Sequence, residues 1–173
     1  MEIILKSTDV PDIWQQILDT GRDTAIKAEP AGLAARDSLR FEAGFPLYGH
    51  ELNENIQPPQ AKLRWVCDMD KDFKGKTAIL SGMERGYNTK LTTFIMIGKG
   101  VPREGYSIKN DRAEKIGEVV SGMFTPTIEK FCGNAYVNNE YSGSGEEFFI
   151  EIRNRNVEAK TAKQPLYTPV YRN

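Results

Sequence analysis

The sequence predicts an α+β chain, a mixed N-terminal part to about residue 88 followed by an antiparallel β domain. Three observations predict it. Val10, Ile13, Trp14, Ile17 and Leu18 recur at helical spacing near the start. Lys76 to Arg85 reads as another helix, ended by Gly86. From Lys90 onward six short strand-like segments are separated by Gly, Asn, Pro and Asp turns.

The elements follow in order. Residues 2 to 6 read as a short strand. Ser7, Thr8 and Asp9 offer N-caps for the first helix, Pro11 suits its first turn, and Gly21 is expected to end it. Arg22 to Pro30 is a polar connection. Ala31 to about Ala43 reads as a second helix closed by Gly44; Leu33, Leu39 and Phe41 supply its apolar contacts. Gly32, Ala34 and Ala35 are expected to let it approach neighbouring backbone closely. Phe45 to Pro59 is an irregular loop, long enough to be functional. Leu63 to Met69 reads as a strand, and the third helix follows. The last six strands are placed at Leu91–Ile97, Tyr106–Lys109, Ile116–Ser121, Asn134–Val137, Glu147–Arg153 and Val157–Lys163. Six short strands without helices suggest a barrel or sandwich.

Composition bounds the function. The chain has 173 residues, 39% hydrophobic and 27% charged, with net charge -1. That balance argues against a nucleic-acid binder working by bulk charge. No apolar run reaches the roughly 18 to 20 residues that span a bilayer. The apolar N-terminus lacks the basic start of a signal peptide, so a cytoplasmic location is the default. Cys67 and Cys132 form no CxxC pattern and His50 is the single histidine, which argues against a zinc site or a Ser/His/Asp triad. Both cysteines read as buried thiols and His50 as a surface or satisfied residue.

Gly32 to Gly49, GLAARDSLRFEAGFPLYG, is the most informative stretch. It places Arg36 and Arg40 four apart on one helix face, which suits an anionic ligand or a buried ion pair. It closely resembles a segment of the T-protein of the glycine cleavage system, the tetrahydrofolate-dependent aminomethyltransferase. Four further segments resemble the same family in the right order: Asp72 to Ala78, Gly100-Val101-Pro102-Arg103, Gly117 to Thr127, and Lys163 to Tyr171.

The resemblance implies a remnant of the folate-binding α/β core, followed by a C-terminal antiparallel, jelly-roll-like β-barrel. The implied organisation is 1–50 as the tail of the folate core, 51–88 as a connecting segment with one helix, and 89–173 as the barrel domain. The match covers the C-terminal half of a typical member. The other half carries much of the folate pocket and an aspartate thought central to catalysis. The chain is therefore expected to be a truncated form, a split gene product or one chain of a two-chain enzyme. By itself it is expected to be inactive.

The family transfers an aminomethyl carbon from a lipoyl-bound intermediate to tetrahydrofolate, releasing ammonia. The implied cofactor is tetrahydrofolate. The implied partners are the lipoyl carrier protein of that system and a separate N-terminal half or a second copy of the chain; no nucleic acid, membrane or metal is implied. No catalytic residue is carried over. Arg36 aligns with a folate-contacting arginine, and a guanidinium fork suits the carboxylates of a folate tail. Otherwise Arg36 is an ion pair with Asp37, Glu42 or another acid; the folate role is preferred. Arg40 is read as structural, in a network with the same acids. Glu2 aligns with a glutamate that accepts hydrogen bonds from the pterin ring. Tyr171 aligns with a tyrosine lining the folate site, with Tyr167 as its fallback. Arg103 could reach a carboxylate of folate or of the lipoyl carrier, and Lys90 shares that ambiguity. Gly117 to Thr127 is read as backbone geometry, a strand exit and a turn.

Two rival readings remain from the sequence. One is a non-catalytic folate-binding or assembly module. The other is the C-terminal folate domain of a dimethylglycine or sarcosine oxidase-like protein. An exposed apolar patch is expected near Trp14 or along Phe41 to Tyr48 if part of the protein is missing.

Overall fold

A computed structural model of the chain describes residues 2–25 and 27–167. It forms two compact units, Met1–Arg36 and Asp37–Asn173.

In the first unit, helix α1 spans Val10–Arg22, with Asp9 at its N-cap and proline in its first turn. Gly21 does not end it. Gly21 is buried inside the helix, where a Cβ would sit 2.3 Å from Ala28 Cβ. Its small size serves close packing rather than termination. Residues 2–6 are not a strand. A strand needs a partner to take its backbone groups, and none pairs with this segment among the described residues. Helix α2, Leu33–Glu42, crosses from the first unit into the second.

In the second unit, residues 45–75 are irregular apart from a single 3₁₀ turn, Arg64–Val66. The strand expected at Leu63–Met69 is absent. Local hydrogen bonds win there: Leu63 N–H donates to Pro58 O at 2.8 Å and Val66 N–H to Leu63 O at 3.1 Å. Helix α3 occupies Lys76–Arg85, with Gly86 as its C-cap.

The barrel has six strands: β1 (Thr89–Met96), β2 (Ser107–Lys109), β3 (Lys115–Thr125), β4 (Lys130–Asn138), β5 (Glu147–Ile152) and β6 (Arg155–Ala162). They close in the order β1-β4-β3-β2-β5-β6, every neighbour antiparallel. Closure removes the sheet edges. The interior is filled by Phe94, Ile108, Val119, Val137, Phe148 and Ile150, all buried. Phe94 and Phe148 meet edge to face, with centroids 5.9 Å apart.

The strand pattern left a barrel or a sandwich open and the family resemblance implied a barrel; the sheet closes as a barrel, with β3 and β4 longer than expected. The extension of β3 corrects the reading of Gly117 to Thr127. Its glycines lie within the strand rather than at an exit. A Cβ at Gly122 would fall 2.5 Å from Pro102 O, so the residue is needed for close approach of backbone.

Candidate functional site

Leucine, alanine, arginine and glutamate are good helix formers, and they fill most of α2. The helix ends in a Schellman arrangement. Gly44 takes φ +82°, its N–H donates to Phe41 O at 3.0 Å, and Phe45 N–H reaches back to Arg40 O at 2.8 Å. Phe41 is buried, whereas Leu33 and Leu39 are exposed and make no core. Nothing lies within 4 Å of a Cβ built on Gly32, so that glycine marks no close backbone approach.

The ending of α2 decides the fate of its arginines. Arg40 is turned inward, its side chain 10% exposed, and its Nη1 meets Glu51 Oε2 at 2.8 Å. Its Nε meets Asp37 at 2.6 Å, and Nη1 also donates to Phe45 O at 3.2 Å. Arg36 is exposed and makes no ion pair among the described residues. The two arginines therefore do not act as a pair on one face. The pairing with Asp37 that was the alternative role for Arg36 belongs to Arg40.

Glu51, fully buried, is the centre the sequence did not reveal. Its carboxylate accepts from the Ser121 hydroxyl in a very short bond, from Asn134 Nδ2 at 3.0 Å and from Leu47 N–H at 2.9 Å. Its carbonyl accepts from Tyr136 Oη at 2.8 Å. Burial pushes the Glu51 carboxyl up, but Ser121, Asn134, the Leu47 amide and Arg40 outweigh it and leave the group below its usual range. Burial, with the Glu51 charge beside it, holds the Tyr136 phenol well above its usual range.

A second buried carboxylate, Glu42, accepts from Thr127 N–H at 2.9 Å and from the Thr127 hydroxyl in another very short bond. Its carbonyl receives Leu166 N–H at 3.0 Å. The long loop is thus latched to β3 and β4 through Ser121, Asn134 and Tyr136, and the end of α2 to the turn between those strands through Thr127. Ser121 and Thr127, both in the Gly117 to Thr127 signature, donate to the two carboxylates. Among 24 acidic residues, nothing in local sequence marks these two as buried.

Two clefts border these latches. One, about 360 Å³, is lined by Asp37, Arg40, His50, Arg103, Glu104 and Ser121 among others. His50 Nδ1 lies 3.2 Å from Glu104, both exposed, so His50 is a surface residue as expected. Arg103 is exposed in the turn after β1. The other cleft, about 390 Å³, combines Phe45, Pro46, Trp65, Asn134 and Gln164 with Lys62. Lys62 takes φ +62°, and burial together with the Lys90 charge lowers its ammonium pKa. Sequence reasoning passed over Lys62 and Trp65, and no periodicity or motif singles them out. Cys67 is half-buried rather than buried, whereas Cys132 is buried and its thiol is pushed up by burial.

Glu2 is exposed in the segment before α1, in the same unit as Arg36, and no hydrogen bond or ion pair joins the two among the described residues. Tyr171 lies outside the described residues.

Residues 1–71 match the GCVT N-terminal domain, and residues 90–168 match the glycine cleavage T-protein C-terminal barrel domain. The chain belongs to the glycine cleavage T-protein family. It is 42% identical over 172 residues to an aminomethyltransferase of Caldanaerobacter subterraneus, covering 99% of this chain and 45% of that protein. It is 43% identical over 166 residues to a probable aminomethyltransferase of Pyrococcus horikoshii, covering 91% of this chain and 41% of that protein. A crystal structure of the glycine cleavage system aminomethyltransferase T from Bartonella henselae superposes with a TM-score of 0.81 at 28% identity, over 91% of this chain and 43% of that one. The chain thus spans about half the length of the curated relatives it matches. No helix among its described residues is long and apolar enough to cross a membrane.

Proposed function

We propose that this chain supplies part of the folate-holding machinery of a cytoplasmic aminomethyltransferase. The observation that carries the reading is the division between the two arginines of α2. Arg40 is held by Asp37 and Glu51, while the Arg36 guanidinium stays exposed and meets no acid among the described residues, in a segment that closely resembles the family.

An unpaired guanidinium fork fits a carboxylate of tetrahydrofolate bidentately. Glu2 accepts from the amino and ring N–H groups of the pterin. Arg103 offers a further cation, and Tyr171 a flat apolar face with a hydroxyl. Tetrahydrofolate, when bound, supplies the nitrogens that accept the one-carbon unit brought by the lipoyl carrier protein. The residues of this chain bind and orient; none is assigned as a nucleophile. The cleft beside Trp65 and Lys62 supports the same ligand class, since it sets an exposed indole next to an ammonium. By itself the 173-residue chain binds folate without completing the transfer.

Calorimetry with tetrahydrofolate tests the reading. Arg36→Ala is expected to weaken binding about 10- to 100-fold, as for loss of a hydrogen-bonded charged group, with the melting temperature unchanged. No folate binding by the intact chain, or equal binding by the variant, sinks the proposal. Ammonia release by the chain alone removes the statement that it does not turn over.

The exposed stripe Val10, Trp14 and Ile17 on α1 favours a second reading, an assembly module that completes a separate chain or a second copy. Sedimentation that gives a monomer at every concentration, alone and with the N-terminal half of a relative, rejects it.

A further inference from the structure

The buried Glu51 carboxylate reaches the cleft beside Trp65 through two side-chain amides. Its pKa is held below the usual range, so near neutral pH the carboxylate only accepts hydrogen bonds. It accepts from Asn134 Nδ2 at 3.0 Å. The Asn134 amide therefore faces Glu51 with its NH2 side and turns its carbonyl the other way. That carbonyl, Oδ1, accepts from the Thr93 hydroxyl at 2.7 Å and from Gln164 Nε2 at 3.5 Å, a long bond. The Gln164 amide is set in its turn. Its NH2 side points at Asn134, and its carbonyl oxygen is the last acceptor of the chain.

That last acceptor stands in the cleft. Gln164 is half-buried, and it lines the cleft of about 390 Å³ together with Gly44, Lys62 and Trp65. Its Oε1 lies 3.7 Å from the position a Cβ would take on Gly44. Among the described residues no donor reaches this oxygen. The backbone nearby is fixed, since Leu166 N–H donates to Glu42 O at 3.0 Å. The inner end is fixed as well, because Ser121, Arg40 and the Leu47 amide donate to the same Glu51 carboxylate. A free side-chain amide shows either face to a ligand. This one is given a single polarity by a charge two side chains inward.

We propose that Gln164 is a specificity-determining residue of this cleft, its carbonyl oxygen accepting an N–H from the ligand, with Glu51 and Asn134 as the residues that position it. This role rests on the folate reading of the cleft and names the part of the ligand that this wall reads. The exposed Trp65 indole suits an aromatic ring, and Lys62 suits a carboxylate. A secondary amide between ring and carboxylate brings its N–H to the Gln164 oxygen. An ester oxygen at the same place brings a lone pair instead and is repelled. Glu51→Gln reverses the chain. Arg40 and the Leu47 amide, both donors, retain the side-chain carbonyl, so the introduced NH2 group faces Asn134. Asn134 and then Gln164 turn over, and the cleft receives a donor where it had an acceptor.

Calorimetry on the full chain tests this with tetrahydrofolate and with its ester analogue, in which oxygen replaces the N–H between the benzoyl and glutamyl groups. The intact protein is expected to bind the amide about tenfold tighter than the ester, as for one lost hydrogen bond and an acceptor left facing a lone pair. Gln164→Met, which keeps the length and loses the acceptor, is expected to bind both alike. Glu51→Gln is expected to bring the amide-to-ester preference to one or below, an inversion that general loosening of the fold would not produce. If that variant melts too early to titrate, Asn134→Leu, which removes the middle of the chain, is expected to erase the preference. Equal binding of the two ligands by the intact protein, or a preference unchanged in Gln164→Met, overturns the proposal and leaves the folate reading standing. Failure of both ligands to bind overturns both.

Discussion

Helix α1 and the barrel both carry periodic apolar residues, yet they dispose of them differently. Trp14 on α1 is 51% exposed, whereas Phe94 in β1 is 0% exposed. Periodicity states that a surface must be covered; it does not state by what. The barrel covers itself because six strands close on one another and direct their inner faces to a common centre. A lone amphipathic helix has no such closure. The arginines of α2 repeat the contrast at the scale of one turn, Arg40 consumed internally and Arg36 left open.

The sharpest test is a pair of truncations. Phe94→Ala is expected to cost about 3–5 kcal/mol of stability in urea unfolding, because it opens a cavity beside Phe148. Trp14→Ala is expected to stay within about 0.5 kcal/mol. Equal costs would show that α1 buries its stripe in solution.

Arg40→Ala comes next, at about 3 kcal/mol, because it strands the buried Glu51 carboxylate. Arg36→Ala is expected to leave stability unchanged. If both variants melt alike, the contrast between the two arginines fails.

Glu51→Gln sharpens the same point through pH. The folded Glu51 pKa lies below its ordinary 4.5, so its contribution is complete above about pH 4.5. It is lost as pH falls through the lower folded value. The glutamine variant is expected to be less stable at pH 7 and to show a shallower loss of stability on acidification, measured as melting temperature against pH. Tyr136→Phe, which removes the bond to the Glu51 carbonyl, is expected to cost about 1 kcal/mol.

The barrel was legible because alternation and turn residues are local signals, and all six strands lie where those signals fall. Helix α3 was legible to the residue because Gly86 stops it. The strands expected at 2–6 and 63–69 failed for a common reason. An apolar run shows β-propensity, but a strand exists only if another strand pairs with it. The folate residues came from resemblance, and folding adds to them only that Arg36 meets no acid among the described residues. The Glu42 and Glu51 latches and the Trp65–Lys62 cleft were not legible at all. They depend on contacts such as Glu51 to Ser121, seventy positions apart.

By itself, the sequence determined the family and the six strands of the C-terminal part, since each rests on local pattern or ordered motifs. Tertiary structure alone decided which carboxylates are buried and which arginine stays available. Burial and charge pairing are properties of neighbours in space. Arg36 and Arg40 share one helix and nearly one sequence context, and the partners Arg40 finds in Asp37, Phe45 and Glu51 separate their roles.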